Sequence, residues 1–191
     1  MRDVAARIDR QGRRVVILAV VLPLLHGLIL FAAAGRLAWP RGWIYLGLMA
    51  ACLAGEMLFV CRRNPAVINA RGRSHGDSER WDLVVLRIHV LLMLSTLALS
   101  GLDAGRWRLS EVPLALSIAA GVVLALAFAI GAAALAHNPF FEPTVRIQRE
   151  RGHRVIDGGP YRFVRHPGYL SAILTFVSVP LFLGSWLGLV S

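Results

Sequence analysis

The chain contains no lysine: all 21 of its basic residues are arginines, and they face only 11 acidic residues, for a formal net charge of +10. Charged residues make up 17% and apolar ones 57%, with a mean hydropathy of +0.61. That balance excludes an ordinary soluble domain. Cysteine is almost absent. Cys52 and Cys61 lie on one apolar run, about 13.5 Å apart at a helical rise, too far for a disulfide. They exclude a disulfide scaffold and carry no information about redox compartment. His26 and His137 have no partners at ligand spacing, so no metal site is expected. The sequence pI of about 11.4 could suit a nucleic-acid binder. The arginines, however, lie between apolar segments, where a membrane protein needs them, so no nucleic-acid partner is expected.

What the chain has in quantity is long apolar runs. Five stand out, at 15–34, 42–60, 83–101, 112–136 and 169–190. Each approaches or exceeds the ~20 residues that a helix needs to cross a bilayer. Lipid offers no partner for free backbone groups, so such runs must be helices or closed barrels. Their continuity and Leu/Ala content favour helices. The expected fold is therefore all-α: one transmembrane domain over 1–191, a bundle of about five membrane helices with a cap loop at 137–168. The first run reads as an uncleaved helix, since it is long for a signal peptide and four more follow.

Arginine-rich and arginine-poor loops alternate along the chain. The rich segments are the N-terminal tail, the 61–82 loop and the 137–167 loop. By the positive-inside rule these three are cytoplasmic. Glu56 and Arg87 fall inside spans at matched depth, and a charge in lipid needs a partner, so a Glu56–Arg87 contact is expected, with His89 nearby.

The 137–167 loop is long and holds Phe140, Phe141, Ile147, Val155, Ile156, Tyr161, Phe163 and Val164. Such content predicts a packed cap rather than a simple connector. Its end reads Gly158-Gly159-Pro160-Tyr161-Arg162-Phe163-Val164-Arg165-His166-Pro167-Gly168-Tyr169 and opens into the last apolar run. Proline favours the first helical position, and the free N–H groups there attract anions. Arg165 could grip a carboxylate or serve only the positive-inside bias. His166 could orient a ligand or exchange a proton, or simply cap the helix. Gly158 and Gly159 permit close backbone approach or an ordinary turn. Tyr161 and Tyr169 could stack on a ligand or belong to an interfacial aromatic belt.

The motif Gly-Pro-Tyr-x-x-x-Arg-His-Pro-x-Tyr before an apolar helix resembles the signature of the isoprenylcysteine carboxyl methyltransferase family. The likeness extends upstream through Asn138-Pro139-Phe140-Phe141 and Val145-Arg146-Ile147-Gln148 to Gly152-His153, and over roughly residues 60 to 185. The resemblance implies an integral membrane methyltransferase that uses S-adenosylmethionine. It implies cofactor contacts from Gln148, His153, Arg154, Val155, Ile156, Gly159, Tyr161, His166, Pro167, Gly168 and Tyr169, with Arg165 and His166 as catalytic candidates. It implies a lipophilic or small thiol, carboxylate or amine acceptor, a bilayer partner, and a bacterial inner-membrane location with the N-terminus cytoplasmic. It also implies a further C-terminal arginine and glutamate, yet no acidic residue follows Asp157. A missing segment or a partner is therefore expected to complete the site. The alternative is a truncated, non-catalytic relative.

Overall fold

A computed structural model of the protein describes residues 7–73, 80–143 and 148–190. The 145–147 portion of the upstream likeness lies outside the described residues. Among the described residues the secondary structure is helical throughout, with no strand. Six helices follow in order: α1 (Arg10–Ala34), α2 (Pro40–Arg63), α3 (Pro65–Arg71), α4 (Arg80–Ser100), α5 (Leu114–His137) and α6 (Pro167–Leu183).

The helix ends follow from local chemistry. Asp9 caps α1, its Oδ1 accepting from the Gln11 and Gly12 amides at 2.8 Å each. Gly35, at φ 65°, ends α1 by returning its N–H to Phe31 O, a left-handed stop that glycine makes without strain. Pro40 opens α2, and Asn64-Pro65 ends it and starts the short α3. α4 continues without a break into a π-helical segment, Gly101–Trp107, which closes on Arg108 at φ 55°. Asn138-Pro139 stops α5, because the residue before proline disfavours the helical region.

Four segments are long and apolar enough to cross a membrane: Arg10–Ala34, Pro40–Arg63, Trp81–Trp107 and Leu114–His137. The fifth apolar run, expected at 169–190, holds a shorter apolar helix, Pro167–Leu183, roughly consistent with about five spans. α6 has only 17 residues; it contains Pro180 and stops at Gly184, whose φ is 89°. The remaining apolar residues form a separate 3-10 turn, Leu187–Val190.

Two clusters build the interior. Leu30, Tyr45, Leu97, Leu124, Val179 and Leu183 fill the middle of the bundle. Val60, Val67, Ile68, Ala132 and Leu135 fill the end that carries α3 and the 138–166 loop, called here the loop end. α5 and α6 share the most extensive contact. Small groups bring them close: Ser171 Oγ donates to Ala127 O at 2.8 Å, Ser117 Oγ donates to Leu181 O at 3.0 Å, and Gly131 lies directly against Ser171. This is the usual means of joining helices in lipid, where apolar burial gives little drive. The outer faces stay apolar. Leu24 and Leu28 are 70% and 69% exposed, and Leu91, Ile118 and Ile173 are similarly open. Spans of this length with apolar outer faces make the chain an integral membrane protein.

The Glu56–Arg87 contact does not form. Arg87 sits on the exposed face of α4, and no ion pair joins the two among the described residues. The charge acting on Glu56 is Arg71, at the end of α3. His89 instead meets the Phe176 ring edge-on at 5.0 Å. His26 is buried and shares a 2.9 Å hydrogen bond with the Tyr45 hydroxyl.

Candidate functional site at the loop end

α5 delivers the chain to the loop through Asn138. Its Oδ1 accepts from the Phe140 amide at 2.9 Å, folding an Asx turn, while its Nδ2 donates to the Tyr161 hydroxyl at 3.1 Å. In the sequence Asn138 stood out only as part of the upstream likeness. Its side chain in fact ties the start of the loop to the glycine-proline end.

Gln148 is 2% exposed. Its Nε2 donates to Phe140 O at 2.8 Å, and its Oε1 accepts from Arg151 Nη1. Arg151 then donates from Nη2 to Pro139 O at 2.7 Å and pairs with Glu142 at 3.3 Å. Its guanidinium also covers the Phe140 ring at 5.6 Å. The carboxamide of Gln148 thus holds the loop to itself, and Arg151, which no sequence pattern distinguished, is the other half of that fastening. His153 Nδ1 accepts from the Gln148 amide at 3.3 Å, so the neutral ring carries its proton on Nε2. The same ring packs on Phe140 at 4.8 Å.

The glycine-rich end turns on one residue. Gly159 has φ 57°, and a Cβ there would collide with the His137 ring. A 3-10 turn, Gly159–Arg162, follows and sets Tyr161 half-buried against Asn138. Burial raises the Tyr161 hydroxyl above the usual tyrosine range, and the Asn138 bond partly offsets this.

α6 begins at Pro167, with His166 at its N-cap. His166 makes no capping hydrogen bond with its side chain; its ring lies 5.5 Å from that of Tyr169. The first-turn amides of Gly168 and Tyr169 lie beyond the reach of any preceding helical carbonyl. Arg165, His166 and Tyr169 are exposed beside them. Arg154 is exposed too, Ile156 is half-buried, and Val155 is 91% exposed.

The structure groups these residues as two neighbouring sets. One holds Asn138, Gln148, His153, Gly159 and Tyr161; the other holds His166, Gly168 and Tyr169. They meet through Phe140 and Phe141: the first touches His153, and the second lies directly on Gly168. No hydrogen bond or ring contact joins 153–156 to 166–169 among the described residues. Arg71 adds a member that the sequence did not single out. Its guanidinium lies over Phe141 at 5.5 Å, on the ring that covers Gly168. Burial pushes Arg71 below the usual arginine range, opposed by the carboxylates of Glu56 and Glu142. In the sequence it looked like one more arginine of a positive loop.

These features define a class: a polytopic helical membrane protein whose last helix opens, through His-Pro, into a polar, glycine-turned loop. Residues 115–190 match the model of the isoprenylcysteine carboxyl methyltransferase (ICMT) family. The match takes in α5, the loop and α6. No curated protein and no solved structure matches the chain.

Proposed function

We propose that the protein is a membrane-embedded S-adenosylmethionine-dependent methyltransferase acting on a lipophilic or small thiol, carboxylate or amine acceptor. The observation that carries this reading is the family match over 115–190, which contains the whole His153 to Tyr169 loop and the helix it opens. The chemistry of the residues suits the donor. The first-turn amides of α6 and the Arg165 guanidinium suit its carboxylate. Val155 and Ile156 offer an apolar surface for adenine, and the turn at Gly159 lets backbone come close to a ligand. Tyr161 and Tyr169 add stacking faces, His153 and Arg154 add donors, and Gln148 supports them from beneath.

Bound S-adenosylmethionine would supply an already activated methyl group. The protein's own task is then alignment and exclusion of water. Arg165 and His166, exposed beside the first turn of α6, are the groups that would orient the reacting atoms. A lipophilic acceptor would enter sideways between helices. Val155 and Phe163, at 91% and 88% exposed, leave this surface open, which favours a further segment or a partner that closes it. The arginine distribution favours a cytoplasmic N-terminus, with donor arriving from the cytoplasm, and the resemblance suggests a bacterial inner-membrane setting.

The test is transfer of labelled methyl from S-adenosylmethionine to a membrane lipid extract or a panel of small thiols. Reconstituted protein should label one fraction, and His166→Ala should abolish the labelling. Absence of label in every fraction would favour the second reading, a non-catalytic relative.

A further inference from the structure

A cavity lies at the opposite end of the bundle, far from the loop. It opens between α1 and α2 and encloses about 700 Å³, within the usual range for small-molecule sites. Pro23, Leu24, Gly27, Leu28, Phe31, Trp43 and Leu46 line it. The Phe31 and Trp43 rings pack at 4.7 Å, and the Trp43 indole donates to Leu37 O at 2.9 Å. Leu24 and Leu28 face outward, so the cleft opens sideways toward hydrocarbon.

Arg36 stands at its rim. The Arg36 Nε is buried and has no hydrogen-bond partner. The side chain as a whole is half-buried, so its other guanidinium nitrogens can meet an acceptor at the rim, and a buried donor without an acceptor carries a cost. The Arg106 guanidinium lies against the adjacent Gly35, and Arg41 lies against Gly184 at the same end. Four arginines there (Arg36, Arg41, Arg106, Arg108) face two acids, Asp103 and Glu111. Oδ2 of Asp103 accepts from Ser110, Ser185 and the Leu187 amide, while its Oδ1 is buried with no hydrogen-bond partner.

We propose that this cleft binds one anionic membrane phospholipid. An acyl chain lies along Leu24, Leu28 and Leu46, and the phosphate accepts from Arg36. The methyl acceptor is a poor occupant, because His166 and the Gly184–Arg41 contact sit at opposite ends of α6, about 27 Å apart at 1.5 Å per residue. The proposal rests on the membrane setting and stands independently of the methyltransferase reading.

Native mass spectrometry of the detergent-purified protein tests it, with phosphatidylglycerol and phosphatidylcholine of matched acyl chains supplied in equal amounts. Wild-type protein should retain phosphatidylglycerol roughly fivefold over phosphatidylcholine. Arg36→Gln should bring the ratio near parity. Ala32→Trp, which fills the cleft and leaves Arg36 in place, should remove the bound lipid. Arg108→Gln, at an exposed cation of the same end, should keep the wild-type ratio. Equal retention of both lipids by wild type overturns the proposal. So does an equal loss of preference in Arg36→Gln and Arg108→Gln, which would mean a diffuse field rather than a site. Lipid retention unchanged in Ala32→Trp would place the lipid elsewhere and overturn it as well.

Discussion

At the scale of single residues, two glycines that are neighbours in the chain have opposite roles. Gly159 is in the left-handed region and presses on His137, whereas Gly158 has ordinary backbone angles and open space around it. Gly159→Ala should therefore lower stability by about 1–2 kcal/mol from backbone strain alone, with more from the clash, while Gly158→Ala should be near neutral. Thermal unfolding of the two variants in detergent checks this. The sequence offered Gly158-Gly159 as a pair and could not say which member the turn requires, since that depends on where His137 arrives from α5. Asp9 gives a pH dependence. Hydrogen bonds from the Gly12 and Gln11 amides, aided by Arg73 at 3.4 Å, hold its carboxyl below the usual aspartate range. A depressed folded-state pKa adds stability above the unfolded value, near pH 4, and that contribution fades as pH falls through the folded value. Wild type should exceed Asp9→Asn in melting temperature at pH 6, and the gap should close toward pH 3. A gap independent of pH would show that the charge of Asp9 is not what stabilises the cap.

At the scale of elements, the far end of α6 is held by Asp103, within the π-helical extension of α4. Its Oδ2 accepts from Ser110 Oγ and Ser185 Oγ at 2.5 Å each and from the Leu187 amide at 3.2 Å. One carboxylate thus joins α4, the segment before α5 and the turn after α6. Asp103→Ala should cost roughly 3 kcal/mol, because several donors lose their acceptor in a buried setting. Ser110→Ala should cost less, since Ser185 and Leu187 keep theirs. Chemical denaturation in mixed micelles would rank them, and equal losses would contradict the clamp. Nothing in the sequence singled out Asp103, for its partners lie 7, 82 and 84 positions away. The spans were far more legible, because a window of apolar residues is a local property. In the fifth run the apolar pattern continues past Gly184, where α6 stops, into the Leu187–Val190 turn. Glu56 and Arg87 were matched by depth alone. Depth carries no information about which face of a helix a residue occupies, and Arg87 proved to face outward.

At the scale of the whole molecule, the protein is a helical membrane bundle with a polar loop cluster at one end and an arginine-rimmed cleft at the other. The arginine alternation predicts that the loop end is cytoplasmic. Reporter fusions at Arg71 and Gly105 should report opposite sides, and the same side for both would overturn the topology. At the loop end, the His166-Pro167 start of α6 was legible because proline marks a first turn from sequence alone. The Gln148–Arg151 fastening and the Arg71–Phe141–Gly168 stack were not, since both depend on how the loop folds back. The central claim is that this surface holds a methyl donor at the start of α6. Calorimetric titration with S-adenosylhomocysteine addresses it most directly, comparing wild type with His166→Ala and with Gly158→Ala as the control. Wild type and Gly158→Ala should bind alike, and His166→Ala should bind about tenfold more weakly, the loss of one good polar contact. Equal affinity in all three, or no binding by wild type, would contradict the account.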